Sequence, residues 1–137
     1  MPGKAFIDTN IVIYALGPKS SKTTAASLLF VDVPVISTQV LSEAANTANR
    51  RFKMPLPDIR RLIITLAAIC QVEIIFPATI SAALDLVERY RFSWFDSLII
   101  ATALQAGCDT LYTEDLQHNQ TINGQLKVIN PLLPVTG

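Results

Sequence analysis

The sequence predicts an α/β protein: a mainly parallel central sheet of four to five strands flanked by helices on both faces. Three observations carry that expectation. Short apolar runs alternate with longer helical patterns, as in strand-helix-strand units. The short runs are continuously apolar, which suits strands covered on both faces rather than one. At 137 residues, half of them apolar, the chain has the size of one core-forming domain, taken as 1–137.

The elements follow in order. Lys4 to Asp8 (KAFID) is a short apolar strand. Asn10 is positioned to cap a helix through Ile11, Val12, Tyr14, Ala15 and Leu16, which Gly17-Pro18 stops. A helix is expected over Lys22 to Phe30, a second strand over Val33 to Ser37, and a helix from Thr38 to about Asn49. Pro34 suits only the start or edge of its strand. After the linker MPLP, Pro57 begins a helix that runs to about Cys70. Val72 to Phe76 is the third strand, and Thr79 or Ser81 opens the next helix, whose Arg89 and Arg91 suit its C-terminal dipole. Ser93 starts the most apolar helix, to Gly107; it is apolar nearly all round and is therefore expected to be central and buried. Thr110 to Tyr112 is a fourth strand, Glu114 to Gly124 a polar loop, and Leu126 to Ile129 a last strand.

Composition narrows the class. No apolar run is long enough to cross a membrane, and the N-terminus lacks a basic region followed by a long apolar core, so a cytoplasmic protein is expected. Cys70 and Cys108 have no CxxC spacing and sit at apolar helix ends, which predicts buried reduced thiols rather than a zinc or disulfide framework. Eleven bases and eleven acids cancel, but setting aside four acids at a metal site leaves 11 − 7 = +4. Arg50, Arg51, Lys53, Arg60 and Arg61 lie close together in sequence, as a phosphate-contacting rim or simply a solvated helix end.

Those four acids are Asp8, Glu43, Asp96 and Asp115. Each stands where an apolar segment ends or begins, and none has a basic neighbour. In open parallel sheets ligands bind beyond the carboxyl ends of the strands, near the point where strand order reverses. Asp8, Glu43 and Asp115 are placed on that edge by fold class alone; the helix bearing Asp96 follows another helix, so its placement is less secure. Each acid also has an ordinary reading. Asp8 can be a cap, Asp96 part of a capping box opened by Ser93, Glu43 a solvated helix residue, and Asp115 a loop residue. Gathered together, they would repel unless cations neutralised them, which points to a hard divalent ion.

Three segments, FIDTNIVIYAL, VISTQVLSE and SWFDSLIIATALQAGCDTLYTEDLQH, resemble in order and spacing the PIN-domain ribonucleases, specifically VapC-type toxins of toxin–antitoxin pairs. The resemblance covers about Lys4 to Asn130. It implies cleavage of single-stranded RNA with Mg2+ or Mn2+ held by Asp8, Glu43, Asp96 and Asp115. Asp8 and Asp96 are then direct ligands, and Asp115 and Glu43 either ligate or orient water. Thr9 and Asn10 complete the family's D-T-N, and Ser37 and Thr113 resemble its small polar support residues. The helix from Pro57 to Cys70 is apolar over more than one face, as a wide core contact or part of a homodimer interface, and the resemblance favours the homodimer and implies an antitoxin partner. Asn119 departs from the pattern, since a glycine commonly follows the histidine. The single His118 excludes a two-histidine acid–base mechanism. An aspartyl-phosphate phosphatase would want a second Asp where Asn10 stands, and a receiver domain an acid where Phe76-Pro77 stands. A non-catalytic PIN-like interaction module and a housekeeping RNA-processing nuclease remain as alternatives.

Overall fold

The structure is a computed structural model and describes residues 3–18 and 20–133. Its strands are β1 (Ala5–Ile7), β2 (Val35–Ser37), β3 (Gln71–Glu73), β4 (Thr110–Tyr112), β5 (Thr121–Ile122) and β6 (Leu126–Ile129). Its helices are α1 (Thr9–Leu16), α2 (Ser21–Leu28), α3 (Thr38–Arg50), α4 (Leu56–Ile69), α5 (Pro77–Tyr90) and α6 (Trp94–Gln105). One sheet runs in the order β3-β2-β1-β4-β6-β5, parallel throughout except for β5 against β6. Phe6 pairs with Val35 on one side and Leu111 on the other, and Leu111 pairs with Val128. Successive strand residues point to opposite faces. Phe6 and Ile7, and all three residues of β2, are buried, so helices cover both faces of the sheet centre.

Seven consecutive residues of α6, Ser97 to Ala103, are buried, as its all-round apolarity predicts. Elsewhere the boundaries move for identifiable reasons. Asp8, not Asn10, caps α1: its carboxylate accepts the Thr9 N–H at 2.6 Å, and the helix starts at Thr9. Strand β2 begins at Val35 rather than Val33, because Val33 holds φ 50°, outside the extended region. Strand β3 stops at Glu73 because its sole neighbour β2 ends at Ser37, the partner of Glu73; beyond it Ile74 and Phe76 are exposed. Pro77 occupies the first turn of α5, which starts two residues before Thr79; the Thr79 hydroxyl accepts the Phe76 N–H at 3.0 Å. The sheet has six strands instead of four to five, since the segment read as a polar loop contains β5. It turns into β6 through Asn123 and Gly124, both at positive φ, with the Gln125 N–H donating to the Ile122 carbonyl at 3.0 Å. Asn-Gly between apolar residues is a strong hairpin signal, and it was legible here.

Cys70 and Cys108 are free and buried, and burial pushes their thiols up to about 11 and about 12. They are therefore protonated and unreactive. Among the described residues no helix is long and apolar enough to cross a membrane.

Two substitutions check this description by urea denaturation. Phe6→Ala, at a fully buried position of a central strand, is expected to cost about 3–5 kcal/mol. Val33→Gly, at an exposed left-handed residue, is expected to stabilise by about 1 kcal/mol by removing the Cβ conflict.

Candidate metal centre

Strand order reverses at β1 and β4: the chain adds β2 and β3 on one side of β1, and β4 and β6 on the other. The loops leaving β1 and β4 therefore diverge and open a crevice at the carboxyl edge. Asp8 follows β1 directly, its N–H donating to the Tyr112 carbonyl at 3.0 Å. Thr113 to Asp115 follow β4. Asp96 enters from the first turn of α6, its N–H donating to the hydroxyl of the cap Ser93 at 3.2 Å. One carboxylate oxygen from each of Asp8, Asp96 and Asp115 lies within 4.8 Å of the other two.

Thr113 ties the cluster together. It is fully buried, its hydroxyl donates to Asp8 Oδ2 at 2.8 Å, and Thr113 Oγ1 in turn accepts the Asp115 N–H at 3.1 Å. Asp8 is 7% exposed and uses its other oxygen for the Thr9 N–H. The Asp8 carboxyl is raised to about 6: burial pushes it up most, the Thr113 and Thr9 hydrogen bonds pull it down, and the charges of Asp115 and Asp96 add a smaller upward push. Asp115 is raised by burial and by the Asp96 charge, with the Asn10 side chain favouring its ionised form. That amide faces Asp115 without closing a hydrogen bond of ordinary length, since neither of its polar atoms has a partner. No cation offsets the three carboxylates: among the described residues the one ion pair, Arg61 with Asp58, is exposed on α4. Three oxygen donors of like charge, held together and uncompensated, form a ligand set for a hard divalent ion.

Glu43 stands apart from these three. It lies on α3, accepts a hydrogen bond from Gln39 Nε2 at 2.6 Å, and lines the same cavity of about 650 Å3. Fold class alone favoured Glu43 over Asp96 for this edge; the structure brings Asp96 into the cluster and leaves Glu43 on the wall. Ser37 caps α3, its hydroxyl accepting the Val40 N–H at 3.1 Å, and so aims the helix that carries Glu43. The Thr9 hydroxyl, like the Asn10 amide, is buried without a partner, and both residues line the cavity. Of the five clustered bases only Arg51 lines it; Arg50, Lys53, Arg60 and Arg61 are exposed elsewhere. Gln39, Thr47, Tyr14 and Phe52 also line it and were not singled out from the sequence. The 39-43-47-51 spacing, one ridge of a helix, was the signal available. His118 has a structural task, its Nδ1 accepting the Asn130 N–H at 2.9 Å. Asn119, in place of the usual glycine, holds φ 69°, a left-handed conformation that asparagine tolerates better than most residues.

A family profile described as the PIN domain matches residues 5–122. The chain belongs to the PIN-domain family. Several solved structures share the fold. The VapC20 protein of Mycobacterium tuberculosis, described as a Sarcin-Ricin loop cleaving toxin, is 20% identical over 82% of this chain and 90% of its own, with a TM-score of 0.62. A toxin–antitoxin complex from Klebsiella pneumoniae contains a chain 21% identical, covering 93% and 98%, with a TM-score of 0.71. FitAcB from Neisseria gonorrhoeae is 19% identical over 93% and 97%, with a TM-score of 0.61. No curated protein sequence matches. This PIN domain thus carries its acids at the topological switch point of its sheet.

The raised Asp8 pKa makes a stability prediction for chelator-treated protein. A carboxyl with a folded-state value of about 6 against an ordinary 3.8 binds its proton more tightly when folded, so stability falls as pH rises from about 4 to about 6. Asp8→Asn is expected to remove that decline and to stabilise the chelated protein by about 1–3 kcal/mol at pH 8, read by thermal melts across pH.

Proposed function

We propose that this PIN domain is a Mg2+- or Mn2+-dependent endoribonuclease that hydrolyses phosphodiester bonds in single-stranded RNA, and that it is the toxin of a toxin–antitoxin pair. The observation that carries the reading is the uncompensated oxygen triad of Asp8, Asp96 and Asp115 in a cavity large enough for a nucleotide. Bound there, the divalent ion supplies positive charge that polarises the phosphodiester and favours deprotonation of the attacking water.

The chain's own groups do the rest. Asp8 and Asp96 hold the ion, while Asp115 and Glu43 either ligate it or orient water. Thr113 and the Thr9 N–H fix the Asp8 oxygens, so the ligand geometry is set before substrate arrives. Asn10 and Thr9 offer unpaired polar atoms to water or substrate at the cavity wall. Arg51 offers its guanidinium to phosphate. No histidine or serine nucleophile is needed, and His118 is engaged with Asn130.

The descriptions of the structural neighbours as toxins and toxin–antitoxin complexes support a toxin role with an antitoxin partner, acting in the cytoplasm where RNA is. Leu56, Ile64 and Ile69 are exposed along α4 and support a homodimer through that helix. Light scattering at high concentration checks this, with a dimer mass as the expected result and a monomer as the contrary one.

The nuclease reading is tested by RNA cleavage with Mn2+. Asp8→Asn and Asp96→Asn are each expected to lower the rate by more than about 100-fold with the fold intact by circular dichroism, and Thr113→Val, which removes the hydroxyl that holds Asp8 Oδ2, by about 10–100-fold. Full activity of either aspartate variant overturns the reading.

A further inference from the structure

The cavity is far longer than a metal centre requires. Helices α1 and α3 both start at the acidic edge, because each follows a parallel strand, and both run away from it. Their cavity-lining residues keep step: Thr9, Ile13 and Gly17 on one wall, Gln39, Glu43 and Thr47 on the other. The α3 ridge goes on to Arg51, so from Gln39 to Arg51 it covers twelve residues at a rise of about 1.5 Å each, about 18 Å. The chemistry changes along it. At the acidic end stand the carboxylates and the Gln39 amide, whose nitrogen is committed to Glu43 and whose oxygen has no partner. Thr47 occupies the middle. At the far end the Arg51 guanidinium lies over the Phe52 ring, 5.7 Å from its centroid, and Phe52 is 40% exposed.

We propose that this groove is a directional subsite for single-stranded RNA, in which Arg51 and Phe52 grip a nucleotide on one side of the scissile phosphate, several nucleotides away from the acids. The inference rests on the nuclease reading and adds its substrate register. Carboxylates at one end repel a polyanion, so affinity must come from the other end, where a cation meets phosphate and an open ring face meets a base. Stacking on an aromatic ring tolerates any base, so this end sets reach and orientation rather than sequence. At the acidic end the unpartnered Gln39 oxygen accepts from a ribose hydroxyl or a base amino group.

The test is fluorescence anisotropy of a labelled hexaribonucleotide on the full chain in EDTA, where nothing is cut. Phe52→Ala and Arg51→Ala are each expected to weaken binding about tenfold, Phe52→Tyr to restore it, and a dinucleotide to bind far more weakly than the hexamer. Arg60→Ala removes the same charge outside the groove and is expected to change affinity less than about twofold. No measurable hexamer binding, equal weakening by Arg51→Ala and Arg60→Ala, or no effect of Phe52→Ala overturns the groove; the last is also what an extended peptide occupant predicts. The two readings fail separately. Wild-type protein that cleaves RNA with Mn2+ while Phe52→Ala binds normally loses the groove alone. Protein that binds as stated but never cleaves loses the nuclease reading alone.

Discussion

Mutual repulsion among three carboxylates at the carboxyl edge of the sheet is the constraint around which the rest is built. Like charges so close are tolerated only where a rigid frame holds them. The frame is the pairing of β1 with β4, which fixes where Asp8 and the Thr113 turn emerge, and the buried α6, which delivers Asp96. The Thr113 hydroxyl joins two of the three segments with a single oxygen. Burial is the main reason the Asp8 pKa is raised, with the Asp115 and Asp96 charges adding to it, and the apolar centre of the sheet, Phe6, Ile36, Leu111 and Val128, holds the frame in place.

The same frame explains why the cavity is asymmetric. Parallel strands launch their helices from one edge, so the acids gather there, and whatever lies further along α1 and α3 is free to take the opposite character. Phe52 follows the end of α3 and Arg51 caps it, and neither is needed by the core. Positions of this kind can change with little effect on the fold.

Much of this was legible in the sequence because hydrophobic periodicity is a local signal. The unbroken apolarity of Leu98 to Ala101 identified α6 as central, and the apolar runs ending at Asp8 and Tyr112 placed two acids on one edge. What escaped depended on partners distant in sequence or on single dihedral angles. The end of β3 is set by where β2 stops, and Val33 reads as a strand residue although its backbone turns left-handed. Both Asn10 and Asp8 read as caps of the first helix, and the bond from the Thr9 N–H to the Asp8 carboxylate decides for Asp8. Fold class alone left the position of Asp96 insecure, because its helix follows another helix, and only the tertiary structure brings it beside Asp8 and Asp115. The hairpin at Asn123-Gly124 and the four-residue ridge of α3 were different, since both signals stood in the sequence.

The way Asp8 divides its oxygens has one more effect. Each oxygen gives one lone pair to a neighbour, Thr9 or Thr113, and each keeps a second lone pair free. An incoming cation can therefore take up Asp8 while both of these hydrogen bonds stay in place.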